Sequence, residues 1–143
     1  MYIDSAIYFK LLVREPDSFF YARLVEGEKA LWSSQILVTE VYSALLRKER
    51  EGMVLANHRV KALKQLHQDV EKGALKLVPV DLALLYKANH ILNFCYPEIP
   101  LRSLDAIHLA SFDLIQKEPL VTSDQRMRQA AKKLKLPLHD LPK

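Results

Sequence analysis

The stretch Leu101-Arg-Ser-Leu-Asp-Ala-Ile-His-Leu-Ala-Ser-Phe-Asp-Leu-Ile-Gln-Lys-Glu-Pro-Leu-Val-Thr-Ser-Asp124 decides the fold. It reads as a helix from about Ser103, a break at Glu118-Pro119 and a short strand through Leu120, Val121 and Thr122. At about 100° per residue, Asp105 projects between Leu109 and Phe112, in the first turn of that helix. Leu104, Ile107, Leu109, Leu114 and Ile115 spread round its circumference, so the helix is expected to be largely buried. Asp124 follows a buried strand, where parallel α/β sheets place their ligands. Each acid also has a local explanation. An acid early in a helix favours the macrodipole, Ser103 is a plausible N-cap, and Ser123 or Asp124 is what the next helix needs as a cap.

Outward from that stretch, the same alternation recurs. Tyr2-Ile3-Asp4-Ser5 is a short apolar strand ending in an acid. Helices are expected over 6–13, 19–26, 35–51, 55–72, 82–94 and 125–134, and strands over 30–33, 75–80 and, at a proline-containing edge, 136–138. Within 35–51 the apolar stripe is Ile36, Leu37, Val41, Ala44 and Leu45, and Glu40 projects inside it. A carboxylate there is costly unless it is paired or holds a metal. The charges Arg47 to Glu51 behave as an ordinary exposed helix end. Strands separated by one or two helices imply a parallel sheet covered on both faces. The expected fold is a three-layer α/β/α sandwich with a central parallel sheet of four to five strands, one domain spanning 1–143.

Composition narrows the chemistry. Three glycines leave no Gly-rich phosphate loop, and one cysteine, Cys95, excludes an internal disulfide and a cysteine-based zinc site. No apolar run approaches the roughly 18 residues of a membrane span. The chain starts directly in structure, so no signal peptide is expected and the protein reads as soluble and cytoplasmic. A net charge of +4 is compatible with a polyanionic partner. Lys117, Arg126, Arg128, Lys132, Lys133 and Lys135 form the basic run suited to a phosphate-contacting rim.

Right-handed crossovers gather strand C-termini on one edge. Asp4 and Asp124 end strands there, and Glu40 and Asp105 lie in the early turns of helices that reach it. Two charges 4 Å apart interact by about 4 kcal/mol at an effective dielectric near 20. Four carboxylates in one hollow therefore repel or hold protons unless a hard cation joins them. Mg²⁺ or Mn²⁺ takes oxygen ligands, keeps waters and works on phosphate esters by activating one of those waters. An acidic hollow with a basic rim is what a metal-dependent nuclease requires.

The segments Tyr2-Ile3-Asp4-Ser5, Thr39-Glu40, Leu104-Asp105-Ala106-Ile107-His108-Leu109-Ala110 and Val121-Thr122-Ser123-Asp124, in this order, resemble the PIN domain, and more narrowly the VapC-type ribonuclease toxins of toxin–antitoxin pairs. The resemblance spans essentially the whole chain. It implies a Mg²⁺- or Mn²⁺-dependent endoribonuclease with Asp4, Glu40, Asp105 and Asp124 as the acidic quartet, and Ser5 and Thr122 as supporting hydroxyls. It further implies an RNA substrate, a homodimer and a small antitoxin that blocks the site. Gln125-Arg126 stands where many relatives carry a further acid, which makes Arg126 a candidate phosphate contact.

Other residues fit less pointed roles. His108, three residues after Asp105, is expected to be a buried, hydrogen-bonded core histidine, with general base as the sharper reading. Tyr8 and Phe9 suit a core or a dimer seam better than base stacking, and Trp32 suits a core. A haloacid-dehalogenase-like phosphatase needs a second Asp two residues after the first, and Ala6 stands there. A non-catalytic PIN-fold binding module and a DNA nuclease of the same fold are the remaining alternatives.

Overall fold

The computed structural model describes residues 1–143. Four parallel strands, β1 (Tyr2–Ile3), β2 (Leu31–Ser34), β3 (Leu75–Val78) and β4 (Leu120–Val121), lie in the order β3-β2-β1-β4. Seven helices connect them: α1 (Ser5–Leu12), α2 (Ser18–Val25), α3 (Leu37–Arg50), α4 (Ala56–Glu71), α5 (Leu82–Cys95), α6 (Ser103–Ile115) and α7 (Gln125–Lys133). The chain steps outward from β1 to β2 to β3, then returns to set β4 on the other side of β1. That reversal creates a switch point at the β1/β4 pair, where open α/β sheets leave a crevice beyond the strand C-termini.

Alternation along the strands builds two cores. Tyr2, Val78 and Leu120 face one side, against Leu84, Ile91, Leu109 and Phe112 of α5 and α6 and Met127 of α7. Ile3, Leu75 and Val121 face the other, against Ile7 and Phe9 of α1, Leu37, Val41 and Leu45 of α3, and Leu66 of α4. Because side chains alternate along a strand, two-residue β1 and β4 each serve both layers. Gly52 and Gly73, both at φ 75°, end α3 and α4 in the left-handed conformation that a side chain strains.

Three expectations change. The edge strand at 136–138 shrinks to a single parallel bridge between Leu120 and Leu138. Pro137 has no N–H to extend a ladder, and only its carbonyl, accepting from the Leu120 amide, and the His139 amide, donating to the Leu120 carbonyl, remain in register. Helix α6 is buried through Ala106, His108, Leu109, Ala110, Ser111 and Phe112, whereas Leu104 and Leu114 are exposed. Trp32 is only partly buried, with the ammonium groups of Lys76 and Lys117 over its ring at 5.4 and 5.6 Å. Tyr8 and Phe9 are core residues, and the Tyr8 hydroxyl donates to Asp69. No helix is long and apolar enough to cross a membrane.

Candidate active site

Each predicted acid is placed by a strand-to-helix junction or a helix start, and three are held by backbone amides. Asp4 leaves β1 and caps α1: its Oδ1 accepts from the Ile7 amide at 2.9 Å, and its Oδ2 accepts from the Thr122 hydroxyl. Asp124 leaves β4 and caps α7 through the Met127 amide at 2.9 Å. Asp105, in the first turn of α6, accepts from the Arg102 amide at 3.2 Å, so Arg102 rather than Ser103 is the N-cap residue. Thr122 ties two junctions together, since its Oγ1 also receives the Asp124 amide at 3.1 Å. The local capping readings therefore hold for Asp4, Asp105 and Asp124.

Glu40 comes from a different helix, α3. It lies in the first turn of α3, and its Oε1 accepts from Ser5 Oγ at 2.5 Å and lies 2.7 Å from His108 Nε2. His108 also approaches Ser5 Oγ at 3.0 Å, while its Nδ1 lies 2.8 Å from the Tyr2 hydroxyl. The core expectation for His108 holds, as it is 2% exposed, but the ring also joins α6 to α3 through Glu40.

Electrostatics pairs the acids. Burial pushes the Asp4 carboxyl above its ordinary range, and Glu40 adds to the rise; His108, Thr122 and the Ile7 amide oppose it. Burial likewise raises Asp105, with Asp124 adding its charge and the Arg102 amide, Arg126 and His108 opposing. So Asp4 feels Glu40, and Asp105 feels Asp124. No three His, Cys, Asp or Glu side chains are gathered closely enough to enclose an ion. That arrangement does not suit an ion caged wholly by protein. It does suit Mg²⁺ or Mn²⁺, which keep several waters and take one or two carboxylates. The donors are carboxylate oxygens without thiolates, and Asp105 Oδ1 and Glu40 Oε2 carry no hydrogen bond from the chain.

A cleft of about 940 Å³ opens above these groups. Glu40, Asp105, Ser5 and Ser123 line it; Asp4, 4% exposed, and Asp124 are not among its walls. Its cationic walls are Arg47 and Lys48 of α3, Arg102 and Lys10. Lys10 is already matched by Glu15 and Asp17 at 2.6 and 2.7 Å. The basic run expected over 117–135 is partly engaged elsewhere, while Lys132 and Lys135 stay exposed. Arg128 is buried and donates to the Thr122 and His139 carbonyls, and Lys133 donates to the Phe94 carbonyl and pairs with Glu98. Lys117 lies over Trp32. Arg126 stays at the site, 3.9 Å from Asp124. The missed basic residues had a signal: 40, 43, 44, 47 and 48 fall on one helical face, so Arg47 and Lys48 share a side with Glu40.

Fold and site define a four-stranded parallel α/β domain with Glu40 and Asp105 lining one cleft. Family comparison agrees: the PIN domain model matches residues 1–133, and the chain belongs to the PIN-domain family. It is 38% identical over 136 residues to Ribonuclease VapC46 of Mycobacterium tuberculosis, covering 94% of this chain and 92% of that protein. Among solved structures it is similar to M. tuberculosis VapC20, described as a Sarcin-Ricin loop cleaving toxin, with TM-score 0.72, 15% identity and 90% and 93% of the two chains covered. It is also similar to FitAcB from Neisseria gonorrhoeae, with TM-score 0.63, 15% identity and coverage of 97% and 96%. At 15% identity, these two structures speak for the fold alone.

Proposed function

We propose that the protein is a Mg²⁺- or Mn²⁺-dependent endoribonuclease acting as the toxin of a toxin–antitoxin pair. The observation that carries this reading is the placement of Glu40 and Asp105 in one cleft walled by Arg47, Lys48 and Arg102, with Asp4 and Asp124 tied to each other through Thr122 at the C-terminal ends of β1 and β4. The 38% identity to a ribonuclease across most of the chain supports RNA as the polymer. A bound divalent ion would supply the positive charge that offsets the paired acids, polarise a phosphodiester and acidify water. Asp4, Glu40, Asp105 and Asp124 are the proposed acidic set, of which one or two would bind the ion directly and the others through its waters. Ser5 and Thr122 orient Glu40 and Asp4 through the hydrogen bonds they donate. Arg47, Lys48 and Arg102 contact phosphates on either side of the scissile bond, with Arg126 at the Asp124 end. A homodimer, a small cognate antitoxin that covers the cleft and a cytoplasmic location complete the reading.

One experiment tests it. Purified protein is incubated with RNA and with DNA, in Mn²⁺ or in chelator, beside an Asp4→Ala control. RNA cleavage that needs the ion and is lost in the control is the expected result. Equal cleavage by the control assigns the activity to a contaminant. Cleavage of DNA alone makes the protein a DNA nuclease, and cleavage of neither makes it a binding module.

A further inference from the structure

Three of the four acids are fixed by the backbone: Asp4 by the Ile7 amide, Asp105 by the Arg102 amide and Asp124 by the Met127 amide. Glu40 is the exception. Both groups that hold it, Ser5 Oγ and His108 Nε2, are side chains, and it carries one more rotatable bond than an aspartate. It also stands on a different helix, α3. Its position therefore depends on how firmly its side-chain partners are held.

We infer that His108, itself oriented by the Tyr2 hydroxyl, is the residue that positions Glu40 for the ion, resting on the metal-site reading above. A 2.7 Å approach of Nε2 to a carboxylate oxygen requires a proton between them, because two lone pairs would otherwise face each other. Ser5 has a single hydrogen and gives it to the same Glu40 oxygen, so the proton on this contact sits on Nε2. The ring could still swing about its bonds, and Tyr2 stops it. The phenol oxygen lies 2.8 Å from Nδ1, the two rings meet edge to face, and Tyr2 is fully buried between β1 and α6. Phe112 packs edge-on against the same tyrosine. Helix α6 thus delivers two things from adjacent positions on one face: the carboxylate of Asp105, and three residues later the imidazole that sets the carboxylate of another helix.

The test has a metal-free and a metal-bound half. In chelated protein, nitrogen–proton correlation spectra should show a His108 Nε2–H protected from solvent exchange, and Tyr2→Phe should make it exchange faster. Then Mn²⁺ binding is measured directly, by the loss of free-ion paramagnetic resonance signal. Losing an outer-shell hydrogen bond to a ligand typically weakens metal binding about 10–100-fold. His108→Leu should fall in that range, Tyr2→Phe less, and His108→Gln, whose amide reaches the Nε2 position as a donor, should recover most of the loss. An Nε2 that exchanges freely in the wild type overturns the inference. So does a His108→Gln protein as weak as His108→Leu, which would reduce the histidine to packing. A wild type that binds no Mn²⁺ sinks the metal reading instead, and the exchange measurement still judges the His108–Glu40 bond.

Discussion

Asp4 and Asp81 make the same local bond and meet different fates. Each follows a strand, and each caps the next helix with Oδ1 accepting the amide three residues on, from Ile7 at 2.9 Å and from Leu84 at 2.8 Å. Asp81 follows β3 at the edge of the sheet and is exposed. Asp4 follows β1, between β2 and β4, and is 4% exposed with Glu40 near enough to raise its proton affinity. Capping is therefore no mark of function in either direction. What separates the two is the position of the parent strand: Asp4 leaves the sheet beside β4, where Thr122 joins it to the Asp124 junction.

The largest effect expected from that difference is on catalysis. Asp4→Asn keeps a side-chain oxygen for the α1 cap but removes the charge. RNA cleavage should drop to the level of chelated wild type, with circular dichroism unchanged. Cleavage by the variant at the wild-type rate would place Asp4 with Asp81, as a cap and nothing more.

Next comes a reversal of the usual acid behaviour. Asp4 and Asp105 have folded pKa values raised above the ordinary 3.8, so the metal-free folded state binds their protons more tightly than the unfolded chain does. Their contribution is most favourable below the unfolded value and is lost as pH rises through the folded one. In chelator, urea melts should find Asp105→Asn more stable than wild type at neutral pH, with the gap closing as pH falls into the carboxylate range. Saturating Mn²⁺ should reverse the order, since only wild type keeps the full ligand set. An Asn variant less stable than wild type at neutral pH in chelator would show that burial does not burden these acids.

The cationic walls give a smaller effect. Arg47→Ala or Arg102→Ala should weaken RNA binding similarly across sequences and lower the slope of log affinity against log salt by about 1. Arg128→Ala should leave that slope alone and lower stability instead, because its guanidinium is spent on the Thr122 and His139 carbonyls. Filter binding over a salt series measures both.

These contrasts also mark what a linear reading reaches. Asp4, Asp105 and Asp124 are legible because each sits at a junction that the apolar pattern locates, and Glu40 because a charge inside an apolar stripe is anomalous. The parallel sheet follows from strands alternating with helices. The cationic side is harder: charge density points to 117–135, yet Arg128 turns inward and Lys133 is drawn to Glu98, 35 positions away. Arg47 and Lys48 look like any solvated helix end until their shared face with Glu40 is counted. His108 reads correctly as core, but its bond to Glu40 spans 68 positions, and helical spacing relates it only to neighbours on α6. Patterns within one element find residues on a face; which faces meet is a property of the sheet order.

Asp81→Ala is the smallest change and the sharpest control. It removes a side-chain acceptor from the start of α5 and leaves the Leu84 amide without its partner. Such cap losses cost about 0.5–2 kcal/mol, and exposure lets water replace the lost acceptor, which favours the lower end. The expected result is a modest fall in urea midpoint, with cleavage, Mn²⁺ affinity and salt slope unchanged. Asp81 lies beyond the edge strand, with β2 between its own strand and β1, so its loss is expected to stay at the first turn of α5. If Asp81→Ala did impair cleavage in proportion to Asp4→Asn, sheet position would not be what distinguishes the two caps. The activity would then depend on α5, whose close packing on α6 offers the direct route to Asp105 and His108.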